Sequence, residues 1–230
     1  MHAILPVRQP AVAKTRLGLA LDAEEREVLA LGLLAHTLAV LAEWPPTAAH
    51  GTVHLVSDDR RLVEGLARVR PGIRSLLEPR SGGLNTALVA ARRQAMAAGA
   101  RVVLMLPADM PLLTVAALDN MVEAADAALA AGGGRPVVVL APADARGGTN
   151  ALLMTPPDII DPSFGEASLE AHLRAAATAE ASLQLVIDPA LGFDLDTPDD
   201  LELLDTERLL EVHAMGERLM AELVPAAALP

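Results

Sequence analysis

One aspartate of this chain, Asp109, is enclosed between two prolines in the segment Pro107-Ala108-Asp109-Met110-Pro111. This segment follows Val102–Leu106, which is apolar at every position, a pattern typical of a central parallel strand that is covered on both faces. Open α/β sheets bind their ligands at the carboxyl ends of the strands. Thr114 is a better cap for the next helix than Asp109. We therefore expect Asp109 to act as a metal ligand rather than as a helix cap.

Two more carboxylates, Asp194 and Asp196, alternate along an extended segment, so that both point to one side. The next two acids, Asp199 and Asp200, are instead expected in the first turn of a helix. If the pair meets Asp109, two carboxylates at about 4 Å would repel by about 4 kcal/mol at an effective dielectric constant of about 20. A divalent cation would relieve that repulsion, and oxygen ligands favour magnesium or manganese. The spacing leaves open the alternative that the three carboxylates never meet.

The segment after the first predicted strand carries three cations, Arg8, Lys14 and Arg16, and Lys14 is the one lysine of the sequence. The whole chain has a formal net charge of −12. A triphosphate would be repelled by such a protein unless its binding site were locally positive. We therefore expect a phosphate-binding loop here, with a solvated loop of incidental charges as the alternative. The loop contains neither GxGxxG nor GxxxxGKS/T, so a dinucleotide-binding fold and a P-loop are not supported.

Two further polar segments have the residue types of an anion site. Gly147-Gly148-Thr149-Asn150 precedes a predicted strand, its glycines permit close approach of the backbone, and Thr149 adds a hydroxyl donor. Phe164-Gly165-Glu166-Ala167-Ser168 opens a predicted helix, whose N-terminal N–H groups suit an anion. Ser168 and His172 are four residues apart and share one face of that helix. A plain turn and a plain helix cap remain the alternatives.

Short apolar runs alternate with helical patterns along the chain, which predicts an α/β fold with a mostly parallel central sheet flanked by helices. The predicted strands are Ala3–Val7, Thr52–Ser57, Ile73–Leu77, Val102–Leu106, Val137–Ala141, Ala151–Met154 and Leu183–Ile187. The predicted helices are Ala23–Glu43, Arg60–Arg68, Leu84–Ala98, Val115–Ala131 and Glu166–Ala179.

We divide the chain into a catalytic domain of residues 1–205 and a C-terminal helical appendage of residues 206–230. The appendage continues an approximate apolar stripe that includes Leu209, Val212, Met215 and Leu219. Such a stripe would pack on the sheet or on a second subunit. In the second case the protein would be a homodimer.

The composition excludes several classes of protein. The 230 residues include no cysteine, one tryptophan, two phenylalanines and no tyrosine. The absence of cysteine excludes disulfide frameworks, zinc–thiolate sites and cysteine catalysis. The acidic charge and the scarcity of aromatic rings exclude a nucleic-acid binder. No segment reaches the roughly 20 apolar residues that span a bilayer, and the first residues lack a signal-peptide pattern, so we expect a soluble, cytoplasmic protein without a membrane partner.

The polar segments, in this order, resemble the CofC/FbiD family, the guanylyltransferases of deazaflavin coenzyme F420 biosynthesis. The resemblance covers residues 3–205 and implies a nucleotide-diphospho-sugar-transferase-like, Rossmann-like fold. It implies transfer of GMP from GTP to a small phosphorylated three-carbon acid, either 2-phospho-L-lactate or phosphoenolpyruvate. The matching stretches are Pro6-Val7 with Ala13–Leu17, Gly83-Leu84-Asn85 with Ala87-Leu88, Pro107–Pro111, Gly147–Leu152, Phe164-Gly165 with Ser168 and His172, and Asp194–Pro198 with Asp200-Leu201.

The same resemblance implies a role for each matching residue. Cations would hold the GTP phosphates, glycine and amide groups would lie beside the guanine, carboxylates would bind magnesium, and small residues would grip the acceptor. The GTP phosphates would be held by Arg8, Lys14 and Arg16, and the guanine would lie beside Gly83 and Asn85. Magnesium would be bound by Asp109, Asp194 and Asp196, and the acceptor by Thr149, Gly165 and Ser168. Lys14, Arg16 and Asp109 would be the catalytic residues. Arg8 departs from the lysine that is more usual there, which keeps the charge but changes the reach.

Two other functions remain as alternatives. A different nucleotidyltransferase of the same fold, activating a sugar phosphate or the molybdopterin cofactor, would usually have a glycine-rich loop after the first strand, which this chain lacks. A non-catalytic nucleotide-binding module would have lost the carboxylates, and this chain retains Asp109, Asp194 and Asp196. The residue types do not decide between phosphoenolpyruvate and 2-phospho-L-lactate as the acceptor.

Overall fold

A computed structural model describes residues 1–44, 52–78, 83–144 and 147–224. Its strands are β1 (His2–Val7), β2 (Val53–Ser57), β3 (Ile73–Leu77), β4 (Val103–Met105), β5 (Val137–Pro142), β6 (Thr149–Thr155) and β7 (Ser182–Leu185). Its helices are α1 (Ala23–Glu43), α2 (Arg60–Val69), α3 (Gly83–Ala97), α4 (Val115–Ala131), α5 (Ser168–Thr178), α6 (Pro189–Gly192), α7 (Pro198–Leu203) and α8 (Thr206–Leu223). None of the described helices is both long and apolar enough to span a bilayer.

The strands form one sheet in the order β3-β2-β1-β4-β6-β5-β7 within the described chain. Strands β1 to β4 run parallel to one another, whereas β6 is antiparallel to both of its neighbours, β4 and β5. Strand β7 runs parallel to β5. The predicted mostly parallel sheet with flanking helices is confirmed. Because β1 and β4 are parallel neighbours, the segments that follow them leave the same edge of the sheet side by side.

Strand β4 lies at the centre of the core, as its continuous apolar sequence predicts. Leu104 packs with α1 and α4 on one face of the sheet, and Val103 and Met105 pack with α3 on the other face. The ladder continues past β4 through the N–H of Leu106, which donates to Ile4 O at 3.1 Å. The next residue is a proline without an N–H, so the Asp109 segment must leave the sheet there.

Helix α5 begins at Ser168, two residues later than the predicted start at Glu166. The reason is local backbone geometry: Gly165 has φ 127° and Ala167 has φ 53°, and neither value occurs in a right-handed helix. The short helix α6 was not predicted, whereas α7 is the helix that was expected to have Asp199 and Asp200 in its first turn. They lie on either side of the segment that carries Asp194 and Asp196.

The C-terminal helix α8 packs across α1 of the same chain. A Cβ added at Gly32 of α1 would overlap the carbonyl oxygen of Val212, and one added at Gly216 of α8 would overlap that of Val28. The two helices therefore cross in close backbone contact, with Val212 fully buried between them. The apolar stripe is thus covered by α1. Residues 225–230 of the predicted appendage lie outside the described residues.

The glycine crossing predicts a specific stability effect. Gly32→Ala and Gly216→Ala are each expected to lower the free energy of unfolding by about 1–3 kcal/mol, since each methyl group must push a helix backbone away. The higher helix propensity of alanine opposes this by only about 1 kcal/mol. Urea unfolding of each variant measures the change.

Gly72→Ala is the matched control for this experiment, because a Cβ at Gly72 meets no atom within 4 Å. If Gly32→Ala and Gly216→Ala are both more stable than Gly72→Ala by about 1 kcal/mol, the effect of helix propensity alone, then α8 does not pack on α1 in solution.

Candidate active site

Lys14 lies between two short 3-10 turns, Pro10–Val12 and Thr15–Leu19, in the loop that follows β1. Its φ of 53° turns the chain sharply, and its side chain is only 9% exposed. The Nζ atom donates to Asp109 Oδ2 at 3.0 Å and to Asp196 Oδ1 at 2.8 Å. One ammonium group therefore joins the loop after β1, the turn after β4 and the segment before α7.

The charge of Lys14 is maintained by these two partners. Burial by itself would lower the pKa of Lys14, but the carboxylates of Asp109 and Asp196 outweigh it, so that the pKa is raised. The second oxygen of Asp109, Oδ1, is buried and has no hydrogen-bond partner among the described residues. Lys14 thus stays protonated at neutral pH, and Asp109 retains one oxygen to which none of the described groups donates.

The other two predicted phosphate-binding cations are accessible. Arg16 is 68% exposed, and its Nη1 lies 3.9 Å from Asp196 Oδ2. Arg8 is exposed, and the N–H of the next residue, Gln9, donates to Asp58 Oδ1 at 2.8 Å. Asp58 follows β2 and holds the start of the cationic loop, a contact between distant segments that the sequence did not reveal.

Asp109 and Asp196 come together because the backbone of Leu195, the residue before Asp196, is hydrogen-bonded to that of Asp109. The N–H of Leu195 donates to Asp109 O at 3.0 Å, and the Leu195 side chain is fully buried. Asp194 and Asp196 flank Leu195 on the two sides along the chain. The described residues contain no group of three carboxylate or histidine side chains arranged to hold a metal ion. Two of the three predicted metal ligands meet instead at the ammonium group of Lys14.

Asp200 holds the Asp196 segment in place. Its Oδ2 atom accepts from the N–H of Asp196 at 2.9 Å and from the N–H and hydroxyl of Thr197 at 2.7 and 2.9 Å. The sequence interpretation placed Asp200 in the first turn of a helix, and the structure confirms this for α7. Its second role, fixing the backbone of Asp196, was missed. The Thr-x-x-Asp spacing of a helix-capping box was the available signal.

Asn150 supports the same segment from the other end. Its Nδ2 atom donates to the carbonyl oxygens of Leu191 at 2.9 Å and Gly192 at 3.0 Å, at the end of α6. A Cβ at Gly192 would overlap the exposed carboxylate of Asp144, which would have to move aside. The start of β6 thereby sets where the chain enters the segment of Asp194 and Asp196.

Thr149, Ser168 and His172 form a second, buried polar cluster. The N–H of Thr149 donates to Ser168 Oγ at 2.8 Å, and the N–H of Ser163 donates to His172 Nε2 at 2.9 Å. Because Nε2 accepts, the proton of the neutral ring lies on Nδ1, which donates to Thr149 Oγ1 at 2.9 Å. Both hydroxyl oxygens thus accept within the fold. No described residue accepts either hydroxyl hydrogen.

Asn85 holds the loop in front of this cluster. Its Nδ2 donates to Phe164 O at 3.0 Å, and its Oδ1 accepts from Phe164 N at 2.9 Å. Two turns further along α3, Arg92 donates to Ile160 O at 2.6 Å. The predicted guanine contact of Asn85 stays a prediction, since its amide is already paired with the backbone. Gly83, with φ 70°, begins the same helix and is exposed.

The comparisons with known proteins agree on a family. The protein-family model described as "Guanylyl transferase CofC like" matches residues 1–208. A phosphoenolpyruvate guanylyltransferase of Rubrobacter xylanophilus is 37% identical over 205 residues, 89% of this chain and 93% of the relative. The corresponding protein of Sphaerobacter thermophilus is 38% identical over 88% of this chain and 91% of the relative. A 3-phospho-D-glycerate guanylyltransferase of Colwellia psychrerythraea is 32% identical over 87% of this chain and 89% of the relative.

A solved structure supports the fold. The crystal structure of a putative nucleotide-diphospho-sugar transferase from Desulfovibrio desulfuricans aligns with a TM-score of 0.73 and 19% identity, over 96% of both chains. The predicted nucleotide-diphospho-sugar-transferase-like architecture is confirmed.

The buried histidines predict how stability depends on pH. Burial lowers the pKa of His172 to about 4, and burial with neighbouring cationic groups does the same for His36 and His54. Between about pH 4 and 6.5 these histidines bind protons in the unfolded chain but not in the folded chain. The free energy of unfolding is therefore unaffected by them above pH 6.5 and decreases as the pH falls below that value. Each histidine contributes up to about 1.4 kcal/mol per pH unit.

Urea unfolding of the protein and of His172→Gln at pH 7, 6 and 5 tests this. We expect a smaller loss of stability on acidification in His172→Gln, because one titrating group is removed while all carboxylates are retained. Parallel pH profiles for the two proteins would contradict the low pKa of His172.

Proposed function

The chain belongs to the CofC-like guanylyl transferase family and is a nucleotidyltransferase, and we propose that it transfers GMP from GTP to the phosphate group of phosphoenolpyruvate. Pyrophosphate is the second product. Most of the similar relatives that support the family act, by name, on phosphoenolpyruvate, and one acts on 3-phospho-D-glycerate. 2-Phospho-L-lactate, which the sequence resemblance also allows, is the second candidate acceptor. The product would serve the biosynthesis of coenzyme F420.

The observation that carries this proposal is the junction of Lys14, Asp109 and Asp196 at the carboxyl edge of β1 and β4. In the proposed reaction a phosphate oxygen of the acceptor attacks the α-phosphorus of GTP. The bond from that phosphorus to the oxygen that links it to the β-phosphate breaks, and this oxygen leaves with pyrophosphate. This step needs no protein nucleophile. It needs two anionic substrates held in line and cationic groups beside the developing charge.

A magnesium or manganese ion is proposed at the same junction, held by Asp109 and Asp196 with Asp194. The two carboxylates already converge on a cation, and Asp109 keeps one buried oxygen without a partner. Both observations fit a hard divalent ion with oxygen ligands. When bound, such an ion supplies positive charge to the phosphate oxygens. The ammonium group of Lys14 occupies the space between the carboxylates and would have to turn toward the phosphates.

The proposed acceptor pocket is the cluster of Thr149 and Ser168 with Gly165. The hydroxyl oxygens of Thr149 and Ser168 already accept hydrogen bonds, so their own hydrogens remain to be donated. Two hydroxyl donors suit the carboxylate or phosphate of a small acid. Gly165 adopts φ 127°, a conformation that favours glycine, and as a glycine it places no side chain beside the pocket.

The guanine pocket is proposed at the start of α3, beside Gly83 and Asn85. The pairing of Asn85 with Phe164 leaves one hydrogen of its amide nitrogen for a further acceptor. Arg8 and Arg16 are exposed and lie on the loop after β1, from which they would reach the β- and γ-phosphates together with Lys14. In this proposal GTP binds at the charged part of the site, near Arg8, Lys14 and Arg16.

The test is turnover with defined donors and acceptors. The protein is incubated with GTP or ATP, a magnesium salt, and phosphoenolpyruvate, 2-phospho-L-lactate or 3-phospho-D-glycerate. Pyrophosphate release and the mass of the product are measured. We expect the highest kcat/KM with GTP and phosphoenolpyruvate, loss of turnover in EDTA, and recovery with excess magnesium or manganese.

Three outcomes would contradict the proposal. Equal turnover with ATP would remove guanine selectivity, and full activity in EDTA would remove the metal. The absence of pyrophosphate release with every acceptor would favour the non-catalytic alternative.

A second prediction concerns Lys14 itself. Lys14→Met is expected to lower kcat on the order of a hundredfold, the usual effect of removing one preorganised donor at a centre where charge develops. Without nucleotide, it should bind Mn²⁺ more tightly than the unaltered protein, because the ammonium group no longer competes for Asp109 and Asp196. Steady-state kinetics and calorimetric Mn²⁺ titration measure the two effects.

Arg60→Met is the control, since Arg60 is exposed on α2 and, among the described residues, forms an ion pair only with Glu64 of the same helix. A folded Lys14→Met protein with normal kcat would remove Lys14 from the reaction. Unchanged Mn²⁺ affinity would show that ammonium and metal ion do not share the carboxylates.

A further inference from the structure

Arg208, in the first turn of α8, reaches from the C-terminal helix to the turn that carries Asp109. Its Nε atom donates to Pro111 O at 2.7 Å, and its side chain is 21% exposed. The backbone of Arg208 is itself fixed, because its N–H donates to the helix-capping carboxylate of Asp205 at 2.8 Å. The contact with Pro111 joins residues 97 positions apart in the sequence.

His36 of α1 completes the contact. Its Nε2 lies 3.0 Å from Leu113 O, and since a carbonyl only accepts, Nε2 carries the proton. The Nη2 atom of Arg208 lies 2.8 Å from Nδ1 and 2.7 Å from Nε2 of the same ring. Burial and the charge of Arg208 lower the pKa of His36 to about 4, so the ring is neutral beside the guanidinium group. Two carbonyl groups just after Asp109 are thus held by two helices.

The turn is also held by a second set of contacts. The Asp109 carbonyl accepts from Leu195, the Met110 side chain is fully buried, and Leu113 N donates to Met110 O at 3.3 Å. The backbone around Asp109 is therefore restrained by two sets of contacts, one with the Leu195 segment and one with the Arg208–His36 pair. A change at Arg208 releases one side of this arrangement without touching Lys14 or Asp196.

We propose that Arg208 is a positioning residue for Asp109, so that the C-terminal helix contributes to the geometry of the active site as well as to the packing of α1. This inference rests on the proposed function, in which Asp109 holds the metal ion and faces Lys14. Displacement of a reacting group by about 1 Å lowers turnover by up to a hundredfold, even when the altered residue is remote from the chemistry. Arg208 touches neither substrate in this proposal.

The experiment compares four variants of the full chain. Arg208→Met removes both contacts, and Arg208→Lys retains a donor for Pro111. Glu211→Gln removes only the outward ion pair of Arg208, which spans 2.8 Å, and Arg218→Met alters an exposed arginine further along α8. kcat and both KM values are measured per folded molecule, well below the unfolding temperature. Hydrogen exchange is measured at the amides of Met110, Leu112 and Leu113.

We expect kcat of Arg208→Met to fall by about tenfold to a hundredfold, with KM for GTP and for phosphoenolpyruvate within about threefold of the unaltered values. Arg208→Lys should regain part of kcat. Glu211→Gln and Arg218→Met should match the unaltered protein. Exchange at residues 110–113 should accelerate in Arg208→Met, whereas exchange in the sheet should not change.

Unchanged kcat per folded molecule in Arg208→Met would overturn the proposal and leave Arg208 as an anchor for α8. An equal loss of kcat in Glu211→Gln or Arg218→Met would do the same. If Arg208→Met does not fold, Arg208→Lys decides: faster exchange at residues 110–113 together with normal kcat would show that the order of this turn does not set turnover, against the positioning role. Failure of the unaltered protein to use GTP with any acceptor would overturn the proposed function, while the exchange measurement still decides whether Arg208 fixes the turn.

Discussion

The arrangement of the site depends on one electrostatic constraint: two ionised carboxylates in a partly buried space repel each other unless a cation lies between them. Lys14 satisfies that constraint, with contacts of 3.0 and 2.8 Å to Asp109 and Asp196. Removal of one partner of such a cluster leaves uncompensated charge, which is costly away from water. The three segments that meet here are therefore held together by the same interaction that places a positive charge where GTP is proposed to bind.

The sheet makes this junction possible. Strand β1 lies beside β4, so the loop with Lys14 and the turn with Asp109 emerge next to each other. The third segment comes from more than eighty residues later and is aligned by the hydrogen bond from Leu195 to Asp109. Asp200 and Asn150 hold the two ends of that segment. Hydrogen bonds to the backbone thus fix the segments that bring the charged side chains together.

The sequence predicted most of the elements because their signals are local. An unbroken apolar run marks β4, and regular periodicity marks α1 and α4, whose bounds agree with the prediction to the residue. The Pro107–Pro111 turn is also a local signal, and it indicated that Asp109 lies in a functional site. The proximity of Asp109 to Asp196 could be stated only as a condition, because it depends on strand order. The structure brings these two together at Lys14, and their roles in metal binding remain predictions.

The supporting residues were missed for a physical reason. Asp58, Asn150 and Arg208 act through side-chain hydrogen bonds to backbone groups that lie 41 to 97 positions away in the sequence. Such contacts leave no periodicity, and each residue type is ordinary at a loop or a helix end. Only a fold that fixes which carbonyl or N–H lies opposite reveals them. For Asn85 the sequence signal pointed to ligand binding, since amides commonly recognise bases, but in the fold this amide is hydrogen-bonded to the Phe164 backbone.

The two halves of the proposed site differ in charge, and this difference has a consequence for the two proposed substrates. The half built on β1 and β4 uses full charges, with Lys14 and Arg16 beside two carboxylates. The half built on β6 and α5 uses neutral donors, and neutral His172 sets the direction in which Thr149 donates. A charged ligand held by neutral dipoles is oriented without adding a cation that would compete for the carboxylates. In the proposed reaction the acceptor therefore keeps the negative charge that its phosphate oxygen needs to attack, while the cations act on the GTP phosphates.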